Sequence, residues 1–177
     1  MSLRITFFGT EPKVGTSANM QLAVWGTLFH SPPGDGRTCV PIQFSDCKKA
    51  DMTEARILDC DLLAVNLSLN SSGLEEFFLN KSMVHKNIIF LIGKYYHSQE
   101  RELERLSRWY RIPKERICPI PYNQRFKTAH ESGRIPSYLR WQQRELSFEN
   151  AEFTQCLKGM VSAMAKFGER KGDIYYG

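Results

Sequence analysis

An α/β fold, a mostly parallel sheet sandwiched by helices in a three-layer α/β/α arrangement, is predicted by three observations. Short apolar runs rich in β-branched and aromatic residues recur along the chain. Segments with apolar residues at three- and four-residue spacing lie between them, and strands separated by helices are the pattern of a parallel sheet covered on both faces. The length of 177 residues suits one core of this kind, so residues 1–177 are expected to form one domain.

The elements follow in order. Leu3 to Phe8 is a buried strand stopped by Gly9, and Gly9 to Thr16 is a loop. Ser17 can cap a helix running to Phe29, with Met20, Val24 and Leu28 beside Leu22, Trp25 and Phe29 at helical spacing. The prolines and glycines of Ser31 to Arg37 cannot continue it. Cys39 to Phe44 is a second strand, followed by a short helix from Thr53 to Asp59 and a strand at Leu62–Leu67. Ser71 or Ser72 caps a helix through Phe78, and Ile88–Ile92 is the most apolar strand. Ser98 to Tyr110 is a charged amphipathic helix, Ile117–Ile120 a further strand, Gln124 to Ser132 a helix closed by Gly133, and Glu149 to Phe167 the terminal helix. Residues 168–177 are expected to form a flexible tail.

The hydrophobic fraction of 42% and charged fraction of 24% are those of a soluble globular protein. Twenty-four Lys and Arg against nineteen Asp and Glu give a net charge of +5, a field that favours phosphate, nucleic acid or anionic lipid, although a solvated basic surface is the simpler reading. The five cysteines show no CxxC pair and fit reduced thiols. The segment MSLRITFFGTEPKVG lacks a signal-peptide plan, and no run of about eighteen apolar residues occurs. A cytoplasmic protein without a transmembrane segment is therefore expected.

In a parallel sheet the turn from the first strand into the first helix is where phosphate is cradled. Here it comprises Gly9, Thr10, Glu11, Pro12, Lys13, Val14, Gly15, Thr16 and Ser17. A phosphate loop needs small residues so that backbone N–H groups point inward, a Lys for the outer phosphates and a Ser or Thr for Mg²⁺. Gly15 and Ser17 suit that scheme, but Thr16 stands where the Lys belongs. Lys13 could fold back to supply the charge. The same residues would also make an ordinary tight turn with Ser17 as N-cap.

The sequence resembles the ParA/MinD family of P-loop ATPases with a deviant phosphate loop, which includes pilus-localising proteins of the TadZ/CpaE type. The family loop KGGVGKT corresponds to Glu11 through Ser17, with both lysines replaced, at Glu11 and Thr16. The segment Asp61 to Ser68 (DLLAVNLS) is similar to the family's DLVVV strand, and Asn87 to Tyr95 (NIIFLIGKY) to its next strand. Ile117 to Phe126, followed by Ala129 and Gly133, is similar to the family's IPYDxxFxxAxxxG segment, which closes over the base. Between the first helix and the DLLAVN strand the family has two strands, where this chain offers only Cys39–Phe44, with Asp46 as the one acidic residue near its end.

The resemblance implies a P-loop NTPase-like fold and a site for ATP or ADP with Mg²⁺. Gly9 through Ser17, Lys94, Pro121, Tyr122 and Asn123 would bind the nucleotide, Ser17 the metal, and Asp46 would stand for the Walker B acid. It further implies a degenerate, weakly or non-hydrolysing member that acts as a localisation or scaffold factor in bacterial pilus assembly or partition. Such a factor would be dimeric, would contact pilus or secretion machinery, and could be recruited to the membrane or a cell pole. The alternatives are an active ATPase that uses Lys13 or a partner's residue, and a DNA-binding partition or regulatory protein.

Other features carry less. His30, His85, His97 and His130 are scattered, without acidic partners at metal-ligand spacing. Arg134, Arg140 and Arg144, interleaved with Tyr138 and Trp141, could grip nucleic acid, but anchoring of the final helix is the favoured reading. The stripe Phe153, Leu157, Met160, Val161, Met164 and Phe167 is expected to dock on the sheet.

Overall fold

The computed structural model describes residues 2–30, 41–47, 59–69, 73–79, 87–145 and 147–168. Five strands, β1 (Leu3–Gly9), β2 (Ile42–Cys47), β3 (Leu62–Leu67), β4 (Ile88–Tyr95) and β5 (Ile117–Pro121), form one sheet in the order β2-β1-β3-β4-β5. Every pairing is parallel, from Leu3 opposite Ile42 to Phe90 opposite Ile117. Among the described residues six helices accompany it: α1 (Thr16–His30), α2 (Gly73–Leu79), α3 (Glu100–Trp109), α4 (Gln124–Glu131), α5 (Ile135–Gln142) and α6 (Phe148–Gly168).

Alternation along each strand divides the core into two layers. Ile5, Phe7, Leu62, Ala64, Ile89, Leu91, Cys118 and Ile120 face α1, α4, α5 and α6. Phe8, Leu63, Val65, Leu67, Ile88, Phe90 and Ile92 face α2 and α3. The three-layer α/β/α arrangement expected from the sequence is thus present. The terminal stripe docks as expected, with Phe153, Leu157, Met160 and Phe167 at most 1% exposed.

Arg116, buried at the start of β5, fastens the foot of the sheet. Its guanidinium donates to the Ile88 carbonyl at 2.7 Å and to Asn87 Oδ1 at 3.0 Å, and lies 4.1 Å above the Phe167 ring.

Several boundaries differ from expectation for identifiable reasons. The second strand begins at Ile42, because Pro41 has no N–H for the ladder and contributes only its carbonyl, which accepts from Leu3 N at 2.9 Å. Helix α1 starts at Thr16, with Asn19 N donating to the Gly15 carbonyl at 2.8 Å, so Ser17 lies within the first turn and is not the cap. Helix α5 was not expected. Gly133, at φ +67°, ends α4, and Arg134 N donates to the Ala129 carbonyl at 2.7 Å. Pro136 then opens the next helix. Gly168, placed in the tail by the sequence, closes α6 and is buried. The remaining tail residues, and residues 53–58 of the helix expected from Thr53 to Asp59, lie outside the described residues.

Candidate functional site

The strand order reverses between β1 and β3: the chain first moves outward from β1 to β2, then returns to the opposite side of β1. Loops at the carboxyl ends of these strands diverge and leave a crevice. The penultimate residue of β3, on that side, is Asn66, polar and fully buried in an otherwise apolar strand.

Asn66 organises the start of the loop after β1. Its amide Nδ2 donates to the Phe8 carbonyl at 3.2 Å and the Ala64 carbonyl at 3.1 Å, while its Oδ1 accepts from Asn19 Nδ2 at 2.9 Å. The Asn66 backbone carbonyl accepts from Thr10 N at 3.0 Å and Thr10 Oγ1 at 3.2 Å. One side chain therefore joins β1, β3 and the first turn of α1, and the adjoining backbone holds the first loop residue. Farther along, Glu11 Oε1 accepts from Ser68 Oγ at 2.8 Å. Lys13 and Gly15 adopt left-handed backbone, with φ +65° and +84°.

Beside this loop, β4 carries an irregularity. Its register with β5 slips between Ile92 and Tyr95, and Lys94 has φ +53°, a bulge of the sort that re-aims side chains at strand ends. Gly93 is required there, since a Cβ on it would sit 2.8 Å from the Val14 carbonyl oxygen. The loop backbone rests directly on the strand.

Two hollows flank this contact. The inner slot, of about 170 Å³, lies between Val14, Gly15 and Ala18 on one side and Ile120, Pro121, Tyr122 and Phe126 on the other, with Asn19, Gly93, Lys94, Asn123, Lys127 and His130 completing its lining. The outer hollow, of about 250 Å³, is lined by Glu11, Pro12, Lys13 and Ser68 and shares Val14, Gly93 and Lys94 with the slot. Tyr122, at the mouth of the slot, stacks on Tyr96 with centroids 5.7 Å apart.

Of the residues singled out from the sequence, Val14, Gly15, Lys94, Pro121, Tyr122 and Asn123 meet in the slot, and Glu11, Pro12 and Lys13 line the adjoining hollow. Asn123 has a second task, accepting from Phe126 N at 2.9 Å to cap α4. Gly9 and Thr10 are buried beneath the loop, and a Cβ on Gly9 would meet Thr16 Oγ1 at 2.5 Å. Thr16 thus turns back toward β1. Ser17 is exposed on the first turn of α1 and lines neither hollow.

Asp46 lies on edge strand β2 opposite Phe7, two residues short of the level of Gly9, and also lines neither hollow. The two residues assigned to Mg²⁺ chemistry by resemblance thus stand outside the crevice. Among the described residues no group of three His, Cys, Asp or Glu side chains is placed to hold a metal ion.

No protein-family model matches the sequence, and a search of the curated proteins finds none that matches it. The site's chemistry rests on its own residues. A largely apolar slot whose lining also includes Lys94, Lys127 and His130 suits a flat heteroaromatic group joined to an anion. Sequence reasoning gave no site role to Asn66, Asn19, Ser68, Gly93 or Lys127, and it placed Phe126 only within the segment expected to close over the base. Only Asn66, a lone polar residue inside an apolar strand, carried a visible signal.

The two rings of the basic–aromatic cluster are packed, whereas Arg134, Arg140 and Arg144 are exposed. Tyr138 is buried against Phe126 and Phe153 at 6.0 Å from each, and Trp141 is covered by the Arg125 guanidinium at 4.5 Å. These rings anchor α5 to α4 and α6. No helix among the described residues is long and apolar enough to cross a membrane.

Proposed function

We propose that the chain is a degenerate ParA/MinD-like P-loop protein that binds ATP or ADP at the crevice between the loop after β1 and the segment after β5. It hydrolyses the nucleotide slowly or not at all. The observation that supports this most directly is convergence: Val14 and Gly15, Lys94, and Pro121 to Asn123, which lie far apart in sequence, line one slot at the carboxyl ends of the strands. The base enters the slot between Val14 and Pro121, and the phosphates extend toward the outer hollow.

Weak hydrolysis follows from charge. Transition-state charge on a transferred phosphoryl group is stabilised by Lys, Arg and Mg²⁺. Thr16 has no charge to offer and turns toward Gly9, while Glu11, at the other family Lys position, brings a carboxylate. Any Mg²⁺ would arrive on the phosphates, keeping most of its water ligands. A nucleotide-holding protein that does not turn over suits a localisation or scaffold role, and the motif resemblance supports pilus assembly or partition as its setting, with a homodimer as the working form.

Calorimetric titration with ATP and ADP in the presence of Mg²⁺ tests the reading. Saturable binding with phosphate release at buffer background is expected, and no heat of binding at millimolar nucleotide overturns it. A second reading, an active ATPase, draws on the placement of Lys13 at the outer hollow. Turnover above background that disappears in Lys13→Asn would establish it.

A further inference from the structure

The described residues include three non-glycine positions with left-handed backbone, Lys13, Lys94 and Arg111. Two of the three are lysines that line the same hollow. Bulky side chains pay to adopt this conformation, and such outliers persist where the surroundings impose them, often at ligand sites. Lys13 comes from the loop after β1, and Lys94 from the bulge that ends β4. Both side chains are exposed, and the Val14 carbonyl, one residue on from Lys13, is pressed against Gly93, one residue before Lys94.

We infer that Lys13, from the loop itself, and Lys94, from the end of β4, form a two-lysine clamp that holds the terminal phosphates of the bound nucleotide in the ground state, at a place other than the one Thr16 leaves uncharged. The inference rests on the nucleotide reading above. Lys94 is the better placed of the two because it borders both hollows, so one ammonium can reach the anion of a ligand whose ring occupies the slot. Glu11 lines the same hollow, its carboxylate fixed by Ser68 Oγ. It opposes a bound anion and limits the clamp's affinity. The occupant is therefore an oligophosphate whose other end is held elsewhere, and not a free monophosphate.

The test compares ATP, adenosine and inorganic pyrophosphate by calorimetry on the wild type and on Lys13→Asn, Lys94→Asn and Glu11→Gln. Asn tolerates left-handed backbone, and the Gln Oε1 still accepts from Ser68, so the fold is retained and circular dichroism checks it. Each Lys variant is expected to weaken ATP about tenfold and leave adenosine unchanged. Glu11→Gln should tighten ATP and pyrophosphate roughly threefold, the effect of removing one like charge across water at this range. If the lysine variants leave the ratio of ATP to adenosine affinity unaltered, the clamp is wrong while the nucleotide reading stands. Should neither ATP nor adenosine bind the wild type, the nucleotide reading fails. Pyrophosphate then decides the clamp: lysine-dependent capture keeps it, and no capture overturns it.

Discussion

Asn66 carries more of the architecture than any other polar side chain described. A buried amide left without partners costs about 1–3 kcal/mol, whereas a fully paired one contributes modestly, so the energetic weight of Asn66 lies in what its removal would orphan. Asn66→Ala strands the Asn19 amide, itself 4% exposed, and is expected to lower the unfolding free energy by about 2–3 kcal/mol in urea titrations. Asn19→Ala should cost less, and the double variant less than the sum of the two, with a coupling above about 0.5 kcal/mol; strict additivity would show that the two amides do not act together. Gly93 makes a complementary case, because its constraint is steric. A methyl at 2.8 Å from the Val14 oxygen must push the loop off β4. Gly93→Ala is therefore expected to destabilise by about 1–3 kcal/mol and, unlike Asn66→Ala in proportion to stability, to weaken nucleotide binding strongly. Unchanged ATP affinity in a folded Gly93→Ala protein would show that contact between the loop and β4 does not shape the slot.

At the scale of elements, the packing of α6 on β5 sets a pH dependence. Cys118 on β5 is buried, and burial, reinforced by the neighbouring Cys156, pushes its thiol from an ordinary value of 9.0 up to about 12. Burial and then Glu152 raise Cys156 to about 11. Below pH 9 both thiols are neutral in the folded and unfolded chains, and their contribution to stability is fully present. Between pH 9 and 12 the unfolded chain releases the Cys118 proton and the folded one retains it, so stability declines as pH rises, by about 1.4 kcal/mol per pH unit for that thiol. Replacing Cys118 by Ala should flatten the curve of unfolding free energy between pH 9 and 11, and an unchanged slope would place the titration elsewhere. The elements themselves were legible where one physical rule dominated. The runs Leu62–Leu67 and Ile88–Ile92 are too apolar to be anything but interior strands, and the stripe on α6 repeats at helical spacing over about four turns. Helix α5 escaped because Gly133 and Pro136 look like a loop in one dimension, although one ends a helix and the other begins the next. Strand β2 was displaced because its amphipathic pattern is set by an edge position, where Pro41 decides the start.

Across the whole molecule, what could be read from the sequence was the list of segments that meet, and what could not was how they meet. The loop after β1 and the segment after β5 were both candidates for a nucleotide site, yet the slot between them depends on the contact of Val14 with Gly93 of β4, and so on strand order and on a bulge in β4 that no local pattern announces. The same strand order ranks the sheet by stability. β3 is fully buried and lies between β1 and β4, with apolar layers on both faces, and the first five residues of β4 are equally enclosed. Among the described residues β2 pairs on one side only, and its Gln43, Ser45 and Asp46 are exposed. Opening β2 sacrifices one ladder and the packing of Ile42 and Phe44, whereas opening β3 or β4 dismantles both cores. Native-state amide exchange should therefore show β3 and β4 exchanging only with global unfolding and β2 opening at several kcal/mol less. Because Asn66 ties the loop after β1 to β3, Thr10 N should exchange with the slow set, although it lies in a loop. Equal protection of β2 and β3, or rapid exchange at Thr10, would contradict this ordering and with it the claim that the crevice is built on the most stable part of the sheet.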